Sequence, residues 1–470
     1  MEIASEDLLA ETEPPKILPR ILTRFDMVAL YFAIIFGSYG AGQLAASGWA
    51  GIPMLFLALV TFLLPCGLAA YELGTLFPSE GGVYVWAHKA FGPLQGFIAG
   101  WLSWMPIFLL LPLDATIIVS YLQYALGQSW SLLAQVALQV VVVWVLLSIA
   151  VLRLRVSQIM INVMFFGAIL TAVVAVIAGF VHIPAATPVT NEIFSFDLGK
   201  YGFLYSAAVL WLLGVEIPFN MSAEFGNHRR TGKTMLLWGT LALFAGYIMG
   251  IVGILLTTPV AQINQTTGVA QAVATLSPLL GIIVAIIIAL SVFAQSASTM
   301  NAYSRLPFIG GIEKKLPQGM ARVSEKTKSP WPAMLLQAIG ASVVILVFST
   351  LAQLVVIYNL YLAALVAVWC ASLFYIYFGL LRVRITHKAL YEKKGGEVWR
   401  IPGGNFGLWL CCGVGVVFNA LAIYYVFATP WVEGISKRSW DMWLAFISVF
   451  IVVAGFIAYH IGRRRAPTGF

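Results

Sequence analysis

Residues 36–42 read Phe36-Gly37-Ser38-Tyr39-Gly40-Ala41-Gly42, and they lie in the middle of an apolar run over about residues 25–47. A helix of that length can cross the roughly 30 Å of a bilayer's hydrocarbon core. Three glycines within six residues weaken a helix at that depth, where backbone unwinds only if it lines a cavity or is buried in protein. A close contact between two helices is the alternative explanation, because glycine also lets helices approach each other.

A second apolar run is interrupted in the same way by Trp211-Leu212-Leu213-Gly214-Val215-Glu216-Ile217-Pro218. Pro218 cannot donate a helical hydrogen bond, and Glu216 places a carboxyl group where charge is costly and usually functional. Interrupted segments at corresponding positions of two halves are typical of transporters built from inverted repeats. The second interruption therefore favours broken helices over simple packing, and it predicts a substrate site where the two breaks meet.

The composition indicates a membrane protein, because 61% of the 470 residues are hydrophobic and only 10% are charged, against about 25% charged residues in soluble domains. We predict an all-α integral membrane protein with twelve transmembrane helices, numbered spans one to twelve. They are expected at about residues 25–47, 51–77, 93–126, 131–152, 156–182, 202–226, 234–257, 278–303, 332–349, 353–381, 405–428 and 441–462. The polar stretches 304–331 and 382–404 are too short to be folded domains, so a single transporter domain is expected over residues 25–462.

The distribution of Lys and Arg predicts the orientation, since basic residues are enriched in cytoplasmic loops. All but three of the 27 fall on one side if the N-terminus is cytoplasmic, and the exceptions are Lys200, Lys437 and Arg438. The inner residues include Lys16, Arg20 and Arg153. Both the N-terminal tail, residues 1–24, and the C-terminal tail, residues 463–470, are therefore expected to be cytoplasmic. The net charge of +8 needs no nucleic-acid partner, because the basic loops would face the anionic inner leaflet.

The sequence offers no pattern for metal binding or catalysis. The four Cys fall within predicted spans without metal-ligand spacing, and the five His are scattered. We therefore expect a protein that is not an enzyme and that has no cofactor. The acidic, polar start lacks the order of a signal peptide, so the first span is expected to direct insertion. A channel is disfavoured, because pore-lining polar repeats are missing from the sequence.

Two antiparallel broken helices form a natural clamp for a small zwitterion. The N-terminus of a half-helix attracts an anionic group, and unwound carbonyl groups attract a cation or an ammonium group. An α-amino acid carries both groups a few bonds apart. The residues expected to bind substrate are Gly37, Ser38, Tyr39, Gly40, Ala41, Gly42, Trp211, Gly214, Val215 and Glu216.

Further motifs accompany the two breaks. Tyr71-Glu72-Leu73 precedes residues 77–84, Phe77-Pro78-Ser79-Glu80-Gly81-Gly82-Val83-Tyr84, while Ala223-Glu224, Asn227 and Arg229-Arg230 follow the second break. Ser304-Arg305, Leu316-Pro317 and Pro330-Trp331-Pro332-Ala333 lie after span eight, and Trp399-Arg400-Ile401-Pro402-Gly403-Gly404 precedes span eleven. With these motifs in this order, the chain resembles the amino acid–polyamine–organocation (APC) permeases over nearly its whole length.

The resemblance implies a LeuT-like fold with a 5+5 inverted repeat plus two extra helices. The repeats would cover about residues 25–182 and 202–381, and the extra spans about 405–462. It further implies alternating access, with the substrate clamped at spans one and six. In related permeases an aromatic residue of span six covers the substrate, and Trp211 is the candidate here; ordinary helix packing is the alternative.

The coupling ion is left open between proton and sodium. In several related permeases a Lys of span five replaces a sodium ion. Span five of this chain has no Lys. Glu216 could take up and release a proton, while Ser298 and Thr299 of span eight offer hydroxyl oxygens for a possible sodium site; both hydroxyls could instead bond to their own helix.

Asp114, a further coupling candidate, is expected toward the outer end of span three, either lining the outer vestibule or binding a substrate amine, or else lying solvated or paired at the outer edge. Glu72 and Glu224 are expected near inner ends of spans, paired with inner Arg or Lys residues of a cytoplasmic gate.

The sequence thus predicts a multi-pass protein of the cell membrane that transports amino acids by alternating access as a secondary active transporter. Proton-coupled symport or exchange is the main hypothesis, and the expected partners are a small-molecule substrate, a proton or sodium ion, and the lipid bilayer. The alternatives are transport of a polyamine or other organic amine, and sodium-coupled symport. A polyamine has no carboxylate for the span-one N–H groups, which favours amino acids, whereas Glu216 and Asp114 favour an amine.

Overall fold

The computed structural model describes residues 8–14, 22–152, 154–182, 187–349 and 354–465. Lys16, Arg20 and Arg153, together with residues 1–7 and 15–21 of the N-terminal tail and 466–470 of the C-terminal tail, lie outside the described residues. The described part of the chain is helical and contains no strand. Its two isolated β-bridges pair Leu22 with Phe225 and Glu80 with Met221. The prediction of an all-α fold is therefore confirmed for the described residues.

Eleven helices in the described residues are long and apolar enough to cross a membrane. They cover Arg24–Ala45, Gly48–Leu76, Pro93–Leu126, Leu132–Ala150, Gln158–Val181, His228–Thr257, Pro278–Ile312, Trp331–Phe348, Val356–Thr386, Gly404–Ala428 and Lys437–Gly462. The number differs from the predicted twelve because span six is not a continuous helix. It consists of the helix Leu198–Leu210, an irregular segment, and the short 3₁₀ turns Ile217–Asn220 and Ser222–Glu224.

Shorter elements modify several spans and loops. Span two contains a π-helical turn at Leu59–Leu63, and span three is divided into Pro93–Trp104 and Ile107–Leu126. Short helices over Leu9–Thr12, Gly82–Phe91, Gly268–Ala274 and Lys388–Lys394 lie outside the spans.

Span one is the most enclosed of the eleven helices. In its most apolar window 94% of residues are buried, against 28% in spans four and twelve, so span one lies at the centre and the other two lie at the periphery. It packs against spans five, seven and eight. Its start is fixed by Thr23, whose hydroxyl accepts from the Asp26 N–H, and by Asn162 of span five, which donates to the Asp26 carboxylate at 2.6 Å.

Candidate substrate site at the broken helices

The break in span one lies at Phe36 and Gly37. The helix Arg24–Ile35 ends there, both residues are extended, and a new helix runs over Ser38–Ala45. The hydroxyl of Tyr247 in span seven bridges the gap, because it accepts from the Gly37 N–H at 3.0 Å and donates to the Ile35 carbonyl at 3.1 Å. Two backbone groups that the break removes from the helix are thereby paired, which a buried break requires.

The break in span six is longer. The helix Leu198–Leu210 ends at Trp211, and regular structure resumes only with the turn Ile217–Asn220. Gly214 has φ +106°, a conformation that other residues rarely adopt, and an added Cβ would lie 2.9 Å from Cγ2 of Ile34. Glycine is therefore needed at position 214 both for the backbone turn and for its approach to span one.

The two breaks meet through aromatic side chains. The rings of Tyr39 and Trp211 lie edge to face with centroids 5.1 Å apart, and the Trp211 indole N–H donates to the Gln43 side-chain oxygen at 2.7 Å. An added Cβ at Gly40 would lie 2.6 Å from the Trp211 ring. Because position 40 is glycine, the Trp211 ring can lie directly on span one. Only 4% of Trp211 is exposed.

Asp114 lies at this junction and is wholly buried. Its carboxylate accepts from the Tyr39 hydroxyl at 3.3 Å and from the Ser296 hydroxyl at 2.7 Å. It takes part in none of the ion pairs found within the described residues. A solvated Asp114 is excluded by this burial, because residue counting gives the distance along a helix but not the face that a side chain occupies. The alternative of a paired residue near the outer end of span three stays a prediction.

Glu216 is also wholly buried. One carboxylate oxygen accepts from the indole N–H of Trp369 in span ten at 2.7 Å, and the other has no hydrogen-bond partner among the described residues. Since a buried charge needs compensation, a carboxylate in this setting must take up a proton or receive a cation.

The hydroxyls of span eight divide between two roles. Thr299 donates to the Gln295 carbonyl of its own helix at 2.9 Å, as in the alternative described above, and Ser298 is buried. Ser296, which no sequence pattern singled out, is the hydroxyl that reaches Asp114, and it lies at the same distance of 2.7 Å from the Val292 carbonyl of its own helix. The possible sodium site at Ser298 and Thr299 stays a prediction.

The remaining residues expected at the site are all buried, but they do not all face the junction. Gly42 faces the Gln265 carbonyl, since a Cβ added at Gly42 would lie 2.5 Å from that oxygen. Ala41 lies against Gly250 of span seven. Val215 lies against Gly67 of span two. Gly37 and Ser38 form the break itself. The structure therefore brings together Tyr39, Gly40, Trp211 and Asp114, with Gly214 and Glu216 on the other side of the break.

Ion pairs join the C-terminal ends of spans two, six, eight and ten. We call this end of the molecule, formed around residues 78–92, 304–331 and 382–404, the basic end. Arg305 pairs with Glu224 and lies 3.6 Å from Glu80, and all three side chains are almost fully buried. Arg384 pairs with Glu72, which also accepts from the Tyr391 hydroxyl and the Ile401 N–H. The prediction that Glu72 and Glu224 pair with basic residues is confirmed.

The sequence matches the family described as "Amino acid permease" over residues 22–456. The chain belongs to this family. The resemblance stated from the motifs and the prediction of a multi-pass membrane transporter are both confirmed. Its family and relatives are transporters, not enzymes.

Two relatives and one solved structure are similar to this chain. The permease is 26% identical to an uncharacterized transporter of Legionella pneumophila, over 82% of this chain and 85% of the relative. It is 24% identical to a probable polyamine transporter of Arabidopsis thaliana, over 97% of this chain and 88% of the relative. The fold is similar to that of the Eremococcus coleocola manganese transporter, with TM-score 0.58, 13% identity and coverage of 94% of each chain.

Proposed function

We propose that this permease is a secondary transporter of organic amines, with diamines and polyamines as the first class of substrate. The observation that carries the proposal is the Asp114 carboxylate. It is wholly buried, it receives hydrogen bonds only from hydroxyl groups, and it takes part in no ion pair within the described residues. A charge that is costly to bury and lacks an ion-pair partner is suited to a cationic ligand.

A second carboxylate supports a substrate with more than one ammonium group. Asp114 contacts Tyr39, after the break in span one, whereas Gly214 beside Glu216 lies against Ile34, before the break. The two acids therefore flank the break, and one Glu216 oxygen has no hydrogen-bond partner in the part of the chain that the structure describes. A linear diamine has cationic groups at its two ends and an apolar chain for the Trp211 ring. The similarity to a probable polyamine transporter supports the same class.

Amino acids are the second candidate. The helix Ser38–Ala45 begins at the break, so its first N–H groups and the positive end of its dipole could receive a carboxylate. One such donor, the Gly37 N–H, is already bonded to Tyr247. The argument that a polyamine would leave the span-one N–H groups unpaired is weaker for that reason.

We propose in addition that the chain has twelve spans in a LeuT-like arrangement, with the broken segment as span six and both termini cytoplasmic. The repeats would cover residues 25–182 and 202–381 of a single domain, followed by two extra spans. The asymmetric distribution of Lys and Arg supports the orientation. On this topology the basic end is the cytoplasmic face, and the ion pairs of Arg305 and Arg384 form an inner gate that must open for alternating access.

The coupling ion in this proposal is a proton, which Glu216 takes up when the substrate ammonium group leaves it, so that proton and substrate alternate at one carboxylate. The side chain is buried, it has one indole donor and it lies in the span-six break. Sodium bound by Ser298 and Thr299 is the competing possibility.

Uptake by the purified protein in liposomes tests the substrate class. Vesicles loaded with unlabelled putrescine should accumulate labelled putrescine by exchange, and unlabelled diamines should compete with it better than neutral amino acids. Acetylation of both amino groups should remove that competition, because the cationic groups are lost. Exchange of amino acids without exchange of diamines would reject the proposal in favour of the second candidate.

A further inference from the structure

A groove with a cavity volume of about 710 Å³ lies between spans two and seven, away from the candidate substrate site. Its walls are formed largely by leucines, with Leu63 and Leu64 at the π-helical turn of span two and Leu237 and Leu241 on span seven. Leu64, Leu237 and Leu241 are 41–52% exposed. Leucines exposed along two membrane-spanning helices face hydrocarbon, so the groove opens sideways toward lipid and not into the solute path.

One end of the groove is strongly basic. Arg229, Arg230 and Lys233 line it, and they lie on adjoining positions of the first two turns of span seven. All three are exposed, and no carboxylate in the described residues forms an ion pair with them. The Arg229 side chain donates to the Gly396 carbonyl.

Helix stability does not explain this cluster. Basic side chains are unfavourable in the first turn of a helix, where the dipole is positive and backbone N–H groups point outward. Three cations at that place add to the field of the dipole and make a site for an anion. Trp399 stacks on Tyr71 with ring centroids 4.6 Å apart beside the cluster, and Trp238 of span seven is 60% exposed. Exposed Trp is typical of the boundary between hydrocarbon and head groups.

We propose that this groove binds one anionic phospholipid, with its phosphate at Arg230 and Lys233 and an acyl chain along the leucines of spans two and seven. Basic pockets between membrane helices on the cytoplasmic side have the chemistry for such head groups. The apolar walls and the basic end together match an amphiphilic anion, whereas a free phosphate would leave the leucines uncovered. A neutral lipid would leave the positive charge of the cluster uncompensated.

The groove also reaches the backs of both broken spans. Gly67 and Tyr31 line it; Gly67 lies against Val215 of the span-six break, and the Tyr31 hydroxyl bonds to Thr240 at 3.0 Å within the wall. A bound acyl chain would therefore pack against spans two and seven at the places where they contact spans six and one. Occupancy should raise the stability of the protein and alter its exchange rate.

The test uses the full chain purified in a neutral detergent, with dioleoyl phosphatidylglycerol and dioleoyl phosphatidylcholine as the probes. Native mass spectrometry should detect one tightly retained phosphatidylglycerol, and thermal stability should rise with that lipid more than with phosphatidylcholine. The double variant Arg230→Gln/Lys233→Gln should weaken binding by roughly 25-fold, since each basic side chain near the surface contributes about a factor of five.

Two matched variants separate the groove from general charge effects. Lys388→Gln/Lys393→Gln removes the same charge from exposed positions elsewhere at the basic end and should leave binding unchanged. Leu241→Trp fills the groove without changing charge and should also displace the lipid. Equal retention of the two lipids, or equal loss in the Lys388/Lys393 variant, would overturn the proposal. Loss of transport in Leu241→Trp with lipid binding intact would overturn it too, because the groove would then belong to the solute path.

Discussion

The rings of Tyr39 and Trp211 meet edge to face at 5.1 Å and join the broken span one to the broken span six. Tyr39 also donates to Asp114, and the Trp211 indole donates to Gln43 at 2.7 Å. The aromatic pair thus connects the buried carboxylate to the span-six break. Any movement of span six relative to span one must change this contact, so the pair is suited to cover a substrate in one state and release it in another.

Replacement of Trp211 by Ala should raise the KM for the transported amine by about tenfold, because the ring that would cover the substrate and contact its ammonium group is lost. Protein yield should change little by comparison. Exchange kinetics in liposomes give the KM, and Trp238→Ala is the control, since that indole is exposed on span seven. A collapse of the Tm with unchanged kinetics would instead assign Trp211 to ordinary packing.

Replacement of Gly40 by Ala should greatly reduce substrate binding. The added Cβ would lie 2.6 Å from the Trp211 ring, so the two breaks would have to separate. Stabilisation of the purified protein by putrescine in a thermal melt measures the effect. Gly413→Ala is the matched control, because its Cβ meets nothing within 4 Å. Undiminished stabilisation of Gly40→Ala would show that the contact between the breaks is not needed for binding.

Tyr247→Phe should destabilise the protein by about 1–3 kcal/mol, because the Gly37 N–H and the Ile35 carbonyl would both lose a buried partner. Tyr121→Phe is the control: its buried hydroxyl has no hydrogen-bond partner among the described residues. Thermal melts of the two variants give the comparison. Equal melting temperatures would mean that the break in span one does not depend on this hydroxyl.

Glu216→Gln should lose accumulation driven by a pH gradient, because the amide cannot take up and release a proton. Exchange should continue through Asp114, with a higher KM for the diamine because one ammonium contact is weakened. The glutamine oxygen can still accept from Trp369. Uptake into liposomes with imposed proton or sodium gradients measures both properties. If the unmutated protein requires sodium and the variant still accumulates substrate, coupling lies elsewhere, with Ser298 and Thr299 as the next candidates.

The sequence predicted the breaks and the ion pairs of Glu72 and Glu224, because glycine, proline and buried charge leave a local signal in an apolar helix. It did not predict Tyr247, Gln43 or Trp369 as partners of the breaks. Each is a single polar or aromatic side chain, and its role depends on which helix face meets a neighbour distant in the chain. Only the glycines around Tyr247, at positions 246 and 250, hinted at close packing there.

Span eight illustrates the same limit. Ser296, Ser298 and Thr299 follow each other closely in the sequence, but successive helical residues point about 100° apart. The sequence therefore could not show which of the three hydroxyls bonds to Asp114. In the structure it is Ser296. Asp114 follows the same rule. Residue counting gives its depth along span three, but its burial depends on how spans three and eight pack together.

The most direct test of the account is exchange of labelled putrescine by Asp114→Asn in liposomes. The amide keeps the size of the side chain and an oxygen for the Tyr39 or Ser296 hydroxyl, but it removes the charge that the substrate ammonium would meet. We expect exchange to fall by about 10- to 100-fold, the loss of a charged hydrogen bond, with an undiminished Tm. Glu433→Gln, at an exposed carboxylate, should behave like the unmutated protein. Exchange of putrescine at an unchanged rate by Asp114→Asn would contradict the assignment of Asp114 as the amine-binding group.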